Sequence, residues 1–430
     1  MMFLLLAMGP VLAAPIEIRW WIGLTGPAQE QEIRLAEEFN RTQSEYKVTA
    51  TFQGQYPEER AAAFAAFKDG NPPHILQMFD AGSAEMIHAN AAILAVSDAY
   101  DRAGIHLDPT QFIPAARDYY STTDHRLLSQ PFNLSTGVLF FNRDAFRHAG
   151  LDPDKPPATW PALIDAATAL RAAGSACGFT TTWLSWIMLE QFSAIHDQAL
   201  ATQHNGRDGA DAVLTFNTPL QVRMVDTLAT LQQDNRFDYV GRSNEAAAKF
   251  TNGDCAMLLQ SSGGQPAIER DAGFAVGVAP LPYWPDIAGA PHNTMVGGAS
   301  NWVFRGFTDA EYRGIVAFLT FLAKPENDAQ WARSTGFLPT TVAGYQLMRH
   351  QGFFSQHPGR DVAVQSLMRG TLSANSWGYR LGCWSEIRDI FDEEVERALA
   401  QQQSGDVALD NAVRRGNELL RQFQQNAACG

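Results

Sequence analysis

The sequence predicts an α/β protein built as two lobes, and three observations carry that prediction. At 430 residues the chain is longer than one hydrophobic core fills. Residues 16–79 alternate strand and helix patterns in the order that builds a parallel, doubly wound sheet. Residues 127–146, LLSQPFNLSTGVLFFNRDAF, hold the run VLFF, apolar on both faces and therefore suited to a buried strand. Just before it lie Asn133, Ser135, Thr136 and Gly137, small residues where the chain must cross between packed units.

Each element has its own pattern. Residues 16–21 alternate and predict the first strand; 29–39 carry apolar residues at helical spacing; 46–52 alternate strictly and give a second strand. An alanine-rich helix over 58–68 is stopped by Gly70-Asn-Pro-Pro73, and 74–79 is a third strand that ends at Asp80. Ligands in such sheets bind beyond the carboxyl ends of strands, which singles out Tyr56 and Asp80. After the crossing stretch come helices over 143–148 and 161–173, then over 178–186 a short strand with a loop carrying Trp183 and Trp186. A helix over 220–235 and the end of another over 246–253 precede a buried strand at 255–259, which runs into Gln260-Ser-Ser-Gly-Gly264. Residues 273–280 are expected to be the return crossing, followed by a strand over 294–304 with a glycine-rich start. Helices over 311–323 and 325–334, a turn at 336–340, and closing helices over 385–401 and 407–425 complete the chain.

Hydrophobic residues make up 46% and charged residues 18%, the composition of a globular protein with a core to bury. With 32 basic against 46 acidic residues and a net charge of −14, the surface repels nucleic acid and anionic lipid. The start, MMFLLLAMGPVLAAP, has an apolar block of secretory length followed by small residues, but no basic segment ahead of it. Residues 1–14 are therefore expected to be a signal peptide cleaved after Ala13 or Ala14, leaving a periplasmic protein with no lipid-anchoring cysteine at the cut. Export makes disulfides possible among the four cysteines, and Cys177 with Cys255 is the pair to test first.

No catalytic signature is present: no GxSxG, HExxH, P-loop or zinc deaminase pattern. Neither metal nor cofactor is expected. The acidic cluster of Asp389, Asp392, Glu393, Glu394 and Glu396 sits at helical spacing and reads as a solvated face. The loops after strands are more telling. Tyr56, Ser135 and Ser261 offer hydroxyls, Asp80 a carboxylate, Trp183 and Trp186 indole faces. Gly298 offers a backbone N–H and Arg380 a guanidinium. Such a set suits a small polyol bearing an anion, since indoles cover its C–H surface and Arg grips the anion.

The motifs GQYPE, GNPPHILQMFDAG, LLSQPFNLSTGVLFFNRDAF, FTNGDCAMLLQSSG, VGGASNWV, FLAKPENDAQW and YRLG together make the chain resemble the extracytoplasmic solute-binding family that includes the maltose-binding proteins. Within it the resemblance is to the glycerol-3-phosphate receptors of ABC importers, over nearly the whole mature chain. It implies two lobes closing on a hinge, with lobe I at 15–132 and 278–332 and lobe II at 133–277 and 333–430. It implies a small glycerophosphate ligand, an inner-membrane ABC permease as partner, no cofactor, no nucleic acid and a monomer. Tyr56, Ser135, Trp183, Trp186, Ser261, Gly298 and Arg380 fall on the family's ligand-contacting positions. The glycerol-3-phosphate binders carry Glu where this chain has Asp80 and Tyr where it has Phe337, so a glycerophosphodiester such as glycerophosphocholine is the second expected ligand. A sugar receptor and a secreted glycerophosphodiester hydrolase are the remaining readings, the latter lacking any visible acid/base or metal set.

Overall fold

The computed structural model describes residues 14–209, 211–370, 372–426 and 429, so all of the expected signal peptide except Ala14 lies outside the described residues. The chain first lays down β1 (Ile16–Ile22), β2 (Tyr46–Phe52), β3 (Ile75–Phe79), β4 (Ile93–Leu94) and β5 (Gln130–Ser135) in one sheet. It then builds β6 (Gly137–Asn142), β7 (Cys177–Thr181), β8 (Cys255–Ser261) and β9 (Val276–Pro280) in a second sheet, and returns to the first with β10 (Gly297–Phe304). The first sheet runs β2-β1-β3-β10-β4 with β5 also paired to β10; the second runs β7-β8-β6-β9. β1 is parallel to β2 and β3, as helix-crossover connections require, whereas β10 is antiparallel to every neighbour because it arrives from the other lobe. β5, β6 and β7 are buried along their whole length; β6 and β7 are mostly apolar or small, and in β5 the buried Gln130 is satisfied by the Tyr100 hydroxyl and the Leu319 carbonyl.

The crossings differ from those read in the sequence. β5 stays in the first sheet through Ser135, and the chain changes sheet at Thr136 rather than at residue 133. Of residues 273–280, expected as the return crossing, 276–280 are instead strand β9, held against β6 by the register Val138↔Pro280. The return runs between β9 and β10. Residues after 333 also begin in the first lobe: Leu338 N–H donates to the Leu134 carbonyl at 2.7 Å, and Thr341 bridges Phe112. Asp328 fixes that return by accepting from the backbone N–H of Thr340 at 2.8 Å and of Thr341 at 2.9 Å.

Two further expectations change. Trp186 is not in a loop; it opens the wide helical turn Trp186–Gln191, every residue of which is buried. The acidic run on helix Trp384–Leu399 is not a solvated face, because Asp392 and Glu394 are buried. Glu394 is met by Arg415 at 2.7 Å, and Glu396 by Arg242 and the Tyr239 hydroxyl at 2.8 Å. Cys177 and Cys255 are bonded, as neighbours on the parallel strands β7 and β8. A second disulfide, which the sequence reading did not single out, joins Cys383 to Cys429.

Candidate functional site

The two sheets meet edge to edge at Thr136. β5 ends just before it, β6 begins just after it, β10 begins opposite Ser135, and β8 ends at Ser261, which pairs with Gly137 of β6. A buried polar knot ties the crossings together. Thr136 Oγ1 donates to the Met295 carbonyl at 2.8 Å, and Thr136 N–H donates to Ser262 Oγ at 3.2 Å. Gln191 donates from Nε2 to the same Met295 carbonyl at 2.9 Å and accepts its N–H on Oε1 at 3.0 Å. Thr136 and Gln191 are fully buried, so each bond replaces one that water cannot supply.

Six of the residues singled out from the sequence gather around this junction. Ser135 faces Gly297 across β5 and β10, and Gly298 is held at φ 98° against the Asn133 carbonyl. Trp186 lays its indole on Gly297, where a Cβ would come within 2.3 Å of the ring, and its buried Nε1 has no hydrogen-bond partner. Ser261 Oγ accepts from Gly263 N–H at 3.3 Å; the Phe337 ring lies beside Gly263 and stacks on Trp331 at 5.8 Å. Tyr56, the first residue of helix Tyr56–Lys68, stacks on Phe79 at 5.3 Å and accepts from Asn133 Nδ2 at 3.3 Å. Trp183 is 42% exposed and has its backbone in the left-handed region, standing out from the buried turn that follows it.

The charged groups fall differently from expectation. Arg380 is not in the cleft: its guanidinium donates to the carbonyls of Tyr119, Tyr379 (2.8 Å) and Ser121 (3.4 Å). Burial, followed by the nearby Arg207, lowers its pKa to about 9. The guanidinium beside Asp80 belongs to Arg388, on helix Trp384–Leu399. Its Nη2 donates to Asp80 at 2.8 Å and to Glu190 at 2.8 Å, and its Nε to Glu190 at 2.6 Å. Tyr379 and Trp384 close the group, the phenol donating to Asp80 at 3.2 Å and the indole to Glu190 at 2.6 Å. Burial raises the Glu190 pKa and Arg388 pulls it back; the carboxylates around Arg388 hold its own pKa well above the ordinary value against the opposing effect of burial. Among the described residues Arg388 Nη1 has no protein partner, and it is not among the buried unsatisfied atoms. Asp80 follows β3 of the first sheet, while the helix of Arg388 is tied to the segment after β7 of the second sheet by the Ser185–Asp392 hydrogen bond, so this ion pair links the two sides.

Sequence reasoning missed Arg388 because it lies in an acidic run, yet a signal was there. It sits one helical turn after Trp384, on the face that carries the fully buried indole, and a lone cation on a buried face needs a partner. Beneath Tyr56 lie two more buried carboxyls, Glu32 and Glu59. Burial and then the neighbouring Glu32 push Glu59 up to about 9; burial also raises Glu32, which accepts from Gln77 at 2.6 Å. Among the described residues the clusters of three metal-ligating side chains are Cys177–Asp238–Cys255 and Cys383–Glu386–Cys429, and in both the thiols are consumed by disulfides.

Residues 34–350 match the sequence pattern of the family described as bacterial extracellular solute-binding protein. The chain belongs to that family. This solute-binding protein is 44% identical over 409 residues to the sn-glycerol-3-phosphate-binding periplasmic protein UgpB of Salmonella typhimurium, covering 95% of this chain and 93% of the relative. It is 44% identical over 427 residues to UgpB of Escherichia coli O6:K15:H31, covering 98% and 97%. Among solved structures it is similar to UgpB from Mycobacterium tuberculosis in complex with glycerophosphocholine, with TM-score 0.77, 20% identity and coverage of 96% and 100%. The cyclic α-maltosyl-1,6-maltose binding protein from Arthrobacter globiformis matches equally well, with TM-score 0.77, 20% identity and coverage of 95% and 100%. Both likenesses give the solute-binding protein its two-lobed fold. None of its described helices is long and apolar enough to cross a membrane.

Proposed function

We propose that this protein is the periplasmic receptor of an ABC importer and that it captures sn-glycerol 3-phosphate between its lobes and delivers it to an inner-membrane permease. The similarity to UgpB along almost the whole chain supports the reading. The observation that carries it to a phosphate-bearing ligand is Arg388, whose free Nη1 sits in the only cation-containing group beside Asp80 among the described residues. Ser135, Ser261 and the Gly298 N–H converge at the junction as candidate oxygen partners, while Trp186 and Tyr56 supply flat apolar walls. Arg388 takes the role that the sequence gave to Arg380. Binding closes the lobes about Thr136 and Met295, and the protein acts as a monomer.

A glycerophosphodiester is the second reading. Phe337 brings no hydroxyl to the wall beside Gly263, and Asp80 is one methylene shorter than the Glu of the receptors it resembles, so the pocket has more room and one donor fewer. Titration calorimetry with sn-glycerol 3-phosphate, glycerophosphocholine and maltose tests all three ligand classes. Saturable binding of a glycerophosphate and none of maltose is expected; maltose binding alone would overturn the proposal. On this reading the protein performs no chemistry on its ligand, in keeping with its relatives, which are named as binding proteins. Catalytic release of choline from glycerophosphocholine by the pure protein would place it among the hydrolases.

A further inference from the structure

The helix that carries Arg388 begins without a cap of its own. Its N-cap residue, Cys383, is in the left-handed region at φ 56° and has no side-chain capping hydrogen bond. A cysteine offers no strong acceptor, so the first N–H groups of the helix need partners from elsewhere. One comes from the opposite lobe. Glu85, on the short helix Ser83–His88 that follows the Asp80 turn, accepts the Cys383 N–H on Oε1 at 3.1 Å. Glu85 is half of an ion pair within its own lobe, 3.5 Å from Arg60, and its second carboxylate oxygen is buried with no partner. Across from it lies Glu386 in the first turn of the capped helix, also with a buried, unpartnered oxygen. The disulfide to Cys429 fixes Cys383, so the N–H that Glu85 must find is held in place.

We infer that Glu85 is a positioning residue for ligand retention, which supplies the cap of helix Trp384–Leu399 across the cleft when the lobes close and thereby sets Arg388 one turn further on. Opening the lobes takes Glu85 away from Cys383 and uncaps the helix. Closing restores the cap, adds a carboxylate to the positive end of the helix dipole, and brings Asp80 onto Arg388 in the same movement. The contact thus stabilises the closed state without touching ligand. Its expected kinetic signature is slower ligand release with little effect on capture, because the contact forms only after the ligand has entered an open cleft.

This inference rests on the reading of the protein as a receptor that closes over a glycerophosphate, and the experiment separates the two. Wild type, Glu85→Ala and Glu85→Gln are compared by stopped-flow tryptophan fluorescence with sn-glycerol 3-phosphate, and by small-angle scattering with and without it. A lost helix cap corresponds to about a three- to tenfold change, so Glu85→Ala is expected to release ligand faster by that factor with capture unchanged. Glu85→Gln, whose amide oxygen still accepts from Cys383 N–H, should recover most of the effect. Failure of wild type to bind or to compact would overturn the functional reading itself. If wild type binds and closes but Glu85→Ala releases ligand at the same rate, the inference is wrong. It is equally wrong if Glu85→Ala and Glu85→Gln lose affinity alike, since that would place the role in the Arg60 pair within the first lobe.

Discussion

Replacing Arg388 tests the assignment of the phosphate site most directly. Its Nη1 is the donor left without a partner among the described residues, and a charge-assisted hydrogen bond contributes about 1.5–3 kcal/mol. At about 1.4 kcal/mol per decade, losing it costs roughly ten- to hundredfold in affinity. Arg388→Ala also removes the one cation between the buried Asp80 and Glu190, and breaking such a pair costs about 3–5 kcal/mol of stability. Arg388→Lys separates the two effects. It keeps the positive charge, and with it most of the fold's stability, but loses the planar fork that holds Glu190 through two nitrogens while a third points elsewhere. Calorimetry should then show at least tenfold weaker binding of sn-glycerol 3-phosphate by Arg388→Lys, with a melting temperature close to wild type. Arg380→Ala is the counterpart. Its guanidinium satisfies carbonyls of Tyr119 and Ser121, so that variant should melt earlier yet bind within about twofold of wild type. Unchanged affinity in Arg388→Lys together with a large loss in Arg380→Ala would refute the placement of the phosphate at Arg388.

The remaining expectations concern specificity, pH and the disulfide. Phe337→Tyr should tighten sn-glycerol 3-phosphate more than glycerophosphocholine, by roughly two- to tenfold for one neutral hydrogen bond, and Asp80→Glu should penalise the bulkier diester by about 1–3 kcal/mol through overpacking. Indifference of both variants to ligand size would remove these positions from specificity. Glu59 has a folded pKa of about 9 against about 4.3 for an unfolded glutamate, so the folded chain retains a proton across that window. Its stabilising effect is complete below about pH 4 and is lost as pH rises towards 9, by at most about 1.4 kcal/mol per unit. Glu59→Gln should flatten the decline in melting temperature between about pH 4 and pH 9, and an unaltered slope would mean the carboxyl is already ionised at neutral pH. Cys177→Ser with Cys255→Ser opens a loop closed over a sequence separation of 78 and should cost about 4 kcal/mol of stability in denaturant titration; a loss below about 1 kcal/mol would show that the strand pairing alone suffices.

Most strands and long helices were legible because their signals are local. β2 and β6 follow period and apolar runs closely, and helix Gly405–Asn426 announces itself by its amphipathic repeat. What the sequence hid is set by contacts between distant segments. β9 carries Gly277 and reads as part of the return crossing, but β6 recruits it as an edge strand, and the glycine is where the Phe141 ring presses against it. Arg380 and Arg388 look alike as letters; one satisfies carbonyls behind the cleft and the other bridges two carboxylates, a difference made by which helix face Trp384 buries. The cross-lobe partner of Cys383 was out of reach for the same reason, since Glu85 is 298 residues away.

The glycines at the start of β10 also determine which changes are open to the protein over evolutionary time. A methyl group on Gly298 would come within 1.8 Å of the Asn133 carbonyl oxygen, and one on Gly297 within 2.3 Å of Trp186, so any replacement pushes β5 or the indole out of place. That stretch of backbone is frozen for steric reasons, whatever the solute. New preferences can therefore be explored only where a side chain changes without moving a strand, at positions such as 80, 183 and 337. Related receptors that differ in what they import should then keep their small residues here and vary in the ring of side chains around them.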